Sequence, residues 1–512
     1  MKQSRMKKRQ ESSVREAPIR RNRRSRLPKK KRGGLFTKLF PAPGIRASKG
    51  SSRTPPEGGR TPPPEPGSYI RSRLDFLVGL FFLAFFILGL RAVDLAIFQH
   101  QKLSNRAQRQ HEKKVTLPAF RGQFFDRNGR TLAISLPVQS LSVDMSRVES
   151  PVGLARVLAP YLNISQRQLI KKLTSARANS FPTIRRKLPP PVTQKIRALD
   201  EPSVFFIPEM KRFYPAGEIT SHALGFVDID GKGVEGLEAA LDNDLQGQAG
   251  MKLIAQDRLG RPMFPVAQTL EPAKPGTDVS LTIDATVQYI TYRALLKGVS
   301  ESKARAGIAL VMNPKNGDVL AMVNQPGFNP NNMANSTASS RRNRAITDAF
   351  EPGSTFKIFT IAAAMDSDLV SPGTWVDIGG GVMKIGPRVI RDTHSKRKPK
   401  MTVRQILQKS SNVGAAKIGL MLGHEAQEHY LRSFGFGRRS GVELSYESSG
   451  QFPDITHYKK IGVANRAYGY GITATPLQLV TAASAAINGG LLYEPHMVSG
   501  YWKDGKMIPI RR

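Results

Sequence analysis

The sequence predicts a membrane-anchored, multidomain protein in which an α+β region precedes an α/β domain. Three observations predict it. One uncharged run, Phe76 to Leu90, stands behind a strongly basic N-terminal segment. Residues 99–270 carry short strand and turn patterns with scattered helices, and residues 271–512 alternate strands with apolar helices. A chain of 512 residues is also too long for one ordinary domain.

The formal net charge is +39. It is concentrated at the start, where residues 1–73 hold 22 Lys/Arg against four acids. That segment combines basic runs with a Pro/Gly-rich patch, Thr54 to Gly67, and buries too little apolar surface to order itself. It reads as a disordered basic tail. Phe36 and Phe40 are its only aromatics before Tyr69, which argues against a nucleic-acid arm and for no nucleic-acid partner. The absence of cysteine excludes disulfides, cysteine zinc sites and thiol catalysis.

Residues 74–98 read as a transmembrane signal-anchor helix. The 15-residue run extends to Phe98 if Arg91 and Asp94, three apart, pair on one face. The basic flank places the tail in the cytoplasm and everything after residue 98 outside. A cleaved signal peptide is the rival, but its positive region is normally short and no small-x-small site is evident.

Residues 99–270 form a first exported region. Gln99 to Lys114 reads as a polar helical stalk. Asn128-Gly129 signals a hairpin, Thr131 to Ser135 and Ser140 to Asp144 read as strands, and Leu154 to Ser175 as a helix. The glycines and acids of Lys211–Gly217, His222–Gly225 and Asp230–Glu238 read as turn chemistry and a charged helix start. His222 reads as a structural contact.

Residues 271–512 begin with a strand, Val279 to Ile283, and a helix, Ala285 to Val299. Gly307 to Met312 and Val319 to Val323 form a hairpin around Asn313 to Asp318. Pro352 and Gly353 break the chain, and the apolar run from Phe356 starts a helix near Ser354, which sets Lys357 one turn on. A serine becomes nucleophilic when a base takes its proton, and a buried lysine can be that base. A helix N-terminus also stabilises an oxyanion. Val403 to Lys409 reads as helical and leads into Ser410 and Asn412, both of which suit N-caps. Thr475 to Leu479 opens a helix with Pro476 near its start. His394 reads as a loop residue.

Ser354-x-x-Lys357 followed by Ser410-x-Asn412 resembles the first two signatures of the penicillin-binding-protein and serine β-lactamase superfamily. The flanks Asn343 to Thr347, Phe350 to Thr355, Lys409 to Gly414 and Gly469 to Gln478 are similar to class B penicillin-binding proteins of the septal, FtsI type. So are Arg121 to Gly129 and Arg212 to Glu238. The resemblance covers roughly residues 74 to 500. It implies a pedestal (dimerisation-type) domain over 99–270 and a penicillin-binding/β-lactamase-like transpeptidase domain over 271–512.

The resemblance also implies roles. Ser354 would be the acylated nucleophile and Lys357 its general base. Ser410 would relay a proton, and Asn412, with Gly353 and Thr355, would contact substrate. Pentapeptide stems of the lipid II polymer would be cross-linked, and β-lactams would acylate Ser354. No metal or organic cofactor is required. Implied partners are division-machinery membrane proteins, including a glycosyltransferase, at the septum of a bacterial inner membrane. A third signature, Lys-Ser/Thr-Gly, is absent before Arg512; Lys274-Pro-Gly and Lys409-Ser-Ser lie in the wrong places. The expectation is therefore a transpeptidase truncated before that motif. The alternatives are an inactive division scaffold, an elongation-type enzyme, and a β-lactam sensor or β-lactamase.

Overall fold

The computed structural model describes residues 67–99, 101–102, 112–178, 180–256, 262–393, 398–454 and 459–510. Of the disordered tail expected over residues 1–73, residues 1–66 lie outside the described residues, as does the loop reading of His394, whereas residues 67–73 are helical. The chain divides between Asp94 and Leu95 into two compact units.

In the first unit the helix Gly67–Val93 begins seven residues before the expected span, because nothing after Gly67 breaks it. A π-turn, Asp94–Phe98, follows. The stretch Arg73–Phe98 is long and apolar enough to cross a membrane. Its apolar side chains are exposed along its length, Phe76 and Phe82 at about 70%. Arg91 and Asp94 pair at 2.5 Å, as their spacing predicts.

In the second unit the chain returns as a strand, Glu112–Leu117, so the end of the expected helical stalk is extended instead. It pairs with Gly250–Gln256, which pairs with Pro262–Glu271. The larger sheet is centred on Thr131–Val143, where two expected strands merge into one of 13 residues. Pro137 does not interrupt it. Val204–Phe213 covers one edge of that strand. Phe124–Phe125 pairs near residue 133 and Thr183–Leu188 only from Gln139, and Pro137 falls between these two pairings. The sheet continues from Phe124–Phe125 through Asp278–Leu281 to Val498–Lys503 and Lys506–Pro509.

The helix expected over Leu154 to Ser175 is two, Pro151–Leu162 and Gln166–Thr174. Asn163 ends the first in the left-handed region (φ 51°), and Ser165 caps the second. With Pro190–Arg197 they cover Leu141, Val143, Ile184 and Leu188 of the sheet.

Beyond Asp278 the helix Ala285–Ser302, capped by Asp284, packs on the hairpin Gly307–Met312/Val319–Gln325. The Gln288 amide bonds both the N–H and the C=O of Met322 and so completes the strand's backbone pairing. The helices Lys357–Asp366, Val403–Lys409, Asn412–Leu422, His424–Ser433, Lys459–Arg466 and Pro476–Ile487 complete the domain. One hydrophobic core runs through both parts of this unit: Phe124, Leu132, Tyr214 and Leu237 share it with Val319, Ala345, Leu477 and Met497.

Next to that core, and joined to it by Tyr214, lies an ionic cluster that the sequence reading missed. Glu238 is fully buried and takes Arg121 Nε at 2.6 Å, Arg212 Nε at 2.7 Å and the Tyr214 hydroxyl at 3.2 Å. Arg121 also reaches Asp242 at 2.6 Å. The turn reading holds at Asp230 and Lys232, whose N–H groups are accepted by the Asp228 carboxylate. Glu238 does lie in the first turn of a helix, Gly236–Ala240, as the reading expects, but it is paired inside the protein. Burial pushes the Tyr214 hydroxyl pKa well above its ordinary value, with the Glu238 charge adding to it.

Candidate active site

Ser354 lies in a 3₁₀ turn, Gly353–Phe356, that runs directly into the helix Lys357–Asp366. The turn is held from both sides. In front, the Gly353 N–H donates to Gly469 O at 3.1 Å, and Phe350 and Ala474 exchange backbone bonds. Glu351 accepts the Gly471 N–H at 2.9 Å. The approach at Gly469 is so close that a Cβ there would lie 2.2 Å from Gly353 O, and its φ is +87°. Only glycine fits. Behind, Phe356 and Phe359 pack with Phe436, Ile472, Ala474 and Ala482, and the Thr360 hydroxyl bonds Ala467 O.

The turn leaves Ser354 exposed and Lys357 1% exposed. Lys357 Nζ lies 3.2 Å from Ser354 Oγ, 2.9 Å from Ser410 Oγ, 2.8 Å from Ser410 O and 2.8 Å from Asn412 Oδ1. The carbonyl and the amide oxygen can only accept, so they take two N–H groups. What remains of the nitrogen faces two hydroxyls, which both donate and accept. A neutral amine keeps its lone pair for the Ser354 or Ser410 proton, and an ammonium gives its third N–H to either. The site can therefore hold a proton on Nζ or pass it to either serine without breaking its other bonds.

Ser410 and Asn412 are not the helix N-caps that their types alone predict. Ser410 closes the helix Val403–Lys409 in the left-handed region, at φ 53°. Ser411 is the cap of Asn412–Leu422, accepting the Gly414 N–H at 2.9 Å. The intervening serine does the capping, which frees the Ser410 hydroxyl and the Asn412 carbonyl for Lys357.

Asp392, which the sequence reading passed over, holds this turn. Its carboxylate accepts the Ser411 hydroxyl at 2.8 Å and the Val413 N–H at 3.0 Å, and the Asn412 amide donates to Arg391 O at 3.0 Å. The Thr355 hydroxyl donates to Pro352 O at 2.8 Å, so this contact, like the Gly353 N–H, shapes the turn. His222 is buried, donates from Nε2 to Ser340 O at 2.8 Å, and packs edge-on to Phe328. It is the structural contact its lone position predicts.

Residues 307–508 match the penicillin binding protein transpeptidase domain, and residues 116–281 match the penicillin-binding protein dimerisation domain. The chain is 34% identical over 424 residues to the probable peptidoglycan D,D-transpeptidase PenA of Neisseria meningitidis, covering 82% of this chain and 72% of that one. It is 32% identical over 437 residues to the peptidoglycan D,D-transpeptidase FtsI of Escherichia coli (84% and 73%). It is also 32% identical to the stage V sporulation protein D of Bacillus subtilis (85% and 68%). Among solved structures it shares its fold with penicillin binding protein 2X of Streptococcus thermophilus, at a TM-score of 0.60 and 23% identity over 76% of this chain and 61% of that one. Two matched domains in series and this identity along most of the chain lead to one conclusion: the protein belongs to the class B penicillin-binding proteins.

Proposed function

We propose that the chain is a serine peptidoglycan D,D-transpeptidase of the septal type, anchored by one membrane span with its N-terminus in the cytoplasm. The observation that carries the reading is the convergence of Ser354 Oγ, Ser410 Oγ and Asn412 Oδ1 on the buried Lys357 Nζ. Ser354 Oγ attacks the penultimate D-Ala carbonyl of a pentapeptide stem, and its proton passes to neutral Lys357. The C–N bond to the terminal D-Ala breaks, and that amine receives the proton through Ser410. The stem stays as an ester on Ser354. The amine of a second stem attacks the ester, loses a proton along the same route and releases Ser354. Asn412 orients Lys357 and, with Gly353 and Thr355, borders the stem peptide. The site positions one nucleophile and shuttles one proton, and nothing in this sequence of steps requires a metal. β-Lactams enter as acyl-D-Ala-D-Ala mimics and stop at the ester.

The basic tail and the apolar helix support the single-pass orientation. The resemblance to FtsI supports partners in the division machinery, including a membrane glycosyltransferase. Labelling membranes with a fluorescent penicillin tests the chemistry. The wild-type chain gives a labelled band and Ser354→Ala gives none; an unlabelled, folded wild-type chain overturns the reading in favour of a scaffold. A fluorescent fusion at midcell supports the septal role, and one along the side wall makes it an elongation enzyme.

A further inference from the structure

We propose that His424, Glu428 and Asp454 form a structural metal site of the zinc class, separate from the chemistry of the nucleophile. His424 and Glu428 are four residues apart on the helix His424–Ser433 and face the same way one turn apart, with Nε2 3.5 Å from Oε2. Asp454 arrives from a different segment, and one ligand atom of each residue lies within 4.8 Å of the other two. A tetrahedral ion with bonds of about 2 Å holds its ligand atoms about 3.3 Å apart. The His–Glu edge, at 3.5 Å, is already close to that length, and the Asp454 oxygen stands within 4.8 Å of both.

Two further observations point to an ion rather than to an ordinary salt bridge. The Nε2 atom of His424 is shut off from solvent and has no hydrogen-bond partner among the described residues. The Glu428 oxygen at 3.5 Å is too far to bond it well, and a metal–nitrogen bond would satisfy it. The Glu428 carboxylate is also held from behind, as the supports of metal ligands are. Arg432 Nε and Nη2 both take Glu428 Oε1 at 2.9 Å, which leaves Oε2 toward His424. Arg466, 1% exposed, bonds the Pro453 carbonyl next to Asp454. Both guanidiniums stack on Phe452, at 4.7 and 4.5 Å.

The two arginines offset the two carboxylates. A site of this balance does not suit Ca²⁺ or Mg²⁺, which depend on oxygen charge and on six or more oxygen ligands. It suits an ion that gains from an imidazole bond, and Zn²⁺ is the commonest of that class. Gln451, three residues before Asp454, exchanges backbone bonds with Thr473, and Ala474 does the same with Phe350, ahead of Ser354. The ion would clip the helix to that wall, the work a disulfide does elsewhere, in a chain without cysteine.

The test uses the full chain in detergent, stripped with EDTA and then exposed to ZnCl₂ or CoCl₂. The expected result is about one ion retained per chain after gel filtration, a thermal midpoint raised by several degrees, and cobalt absorption bands of a nitrogen–oxygen tetrahedral site. His424→Ala and Asp454→Asn lose all three. Glu428→Gln, which keeps the Arg432 contact, weakens binding at least tenfold if either of the others fails to fold. No stoichiometric metal, or equal retention by the variants, overturns the proposal and leaves His424–Glu428 an ordinary ion pair. None of these readouts depends on acylation of Ser354.

Discussion

At the scale of single residues, the Lys357 cluster is set by groups that themselves never touch it. Asp392 accepts two bonds from the Ser411–Val413 turn, so Asp392→Ala lets Ser410 and Asn412 drift from Lys357. The expected outcome is a fall of about 10–100-fold in the rate of β-lactam acylation, the value of one charge-assisted hydrogen bond, with partial recovery in Asp392→Asn. Stopped-flow acylation with a chromogenic β-lactam checks it. Spacing made Ser354, Lys357, Ser410 and Asn412 legible in the sequence, because two short motifs carry them. Asp392 was not legible: it lies 19 residues before Ser411, in no motif, and only the folded turn brings them together. His222 makes a second prediction. Burial lowers its pKa from 6.5 to about 4, so the native imidazole stays neutral where the unfolded one takes a proton. That stability is complete above pH 6.5 and is lost as the pH falls toward 4, by about 3 kcal/mol in all. Thermal melts across this window should show the loss in the wild type and a flatter profile in His222→Gln.

At the scale of elements, the nucleophile turn depends on a segment more than a hundred residues away. Gly469→Ala would drive a methyl into Gly353 O and force a left-handed φ on alanine. The expected outcome is a folded chain whose fluorescent-penicillin labelling falls at least about 100-fold, because displacement of about 1 Å at a reacting group costs that much. Quantitative gel fluorescence against protein mass checks it. The hairpin at Asn128-Gly129, the helix Ala285–Ser302 and the capped helix at Thr475 were readable from turn and cap chemistry. The break at Asn163 was not, since apolar periodicity continues across it and only the left-handed backbone of one asparagine turns the second helix away. The single strand Thr131–Val143 was hidden for a related reason: Pro137 signals a stop, and its harmlessness depends on which neighbours pair beside it.

At the scale of the whole second unit, the shared core binds the two matched domains into one cooperative body, and the buried charges brace the first of them. Glu238→Ala would leave Arg121 and Arg212 buried without their carboxylate, at a cost of about 3–5 kcal/mol. Because Phe124 and Tyr214 share a core with Leu477 and Met497, the loss should not stay in the first domain. Circular dichroism and penicillin binding, followed on heating, should disappear together and at a lower temperature than in the wild type. Separate transitions would show the two parts to be independent. The sequence concealed this unity, because acidic residues beside glycines read as turns until their burial is known. The seven-stranded sheet sets a timetable as well as a shape. Phe124–Phe125 rests on Asp278–Leu281, and that strand on Val498–Lys503, so residues made early wait for residues made some 375 positions later. Contacts this distant along the chain are slow to close. The emerging polypeptide must stay unaggregated with an open sheet edge until Val498–Lys503 has been delivered, and the closing of that distant contact adds to the time its folding takes.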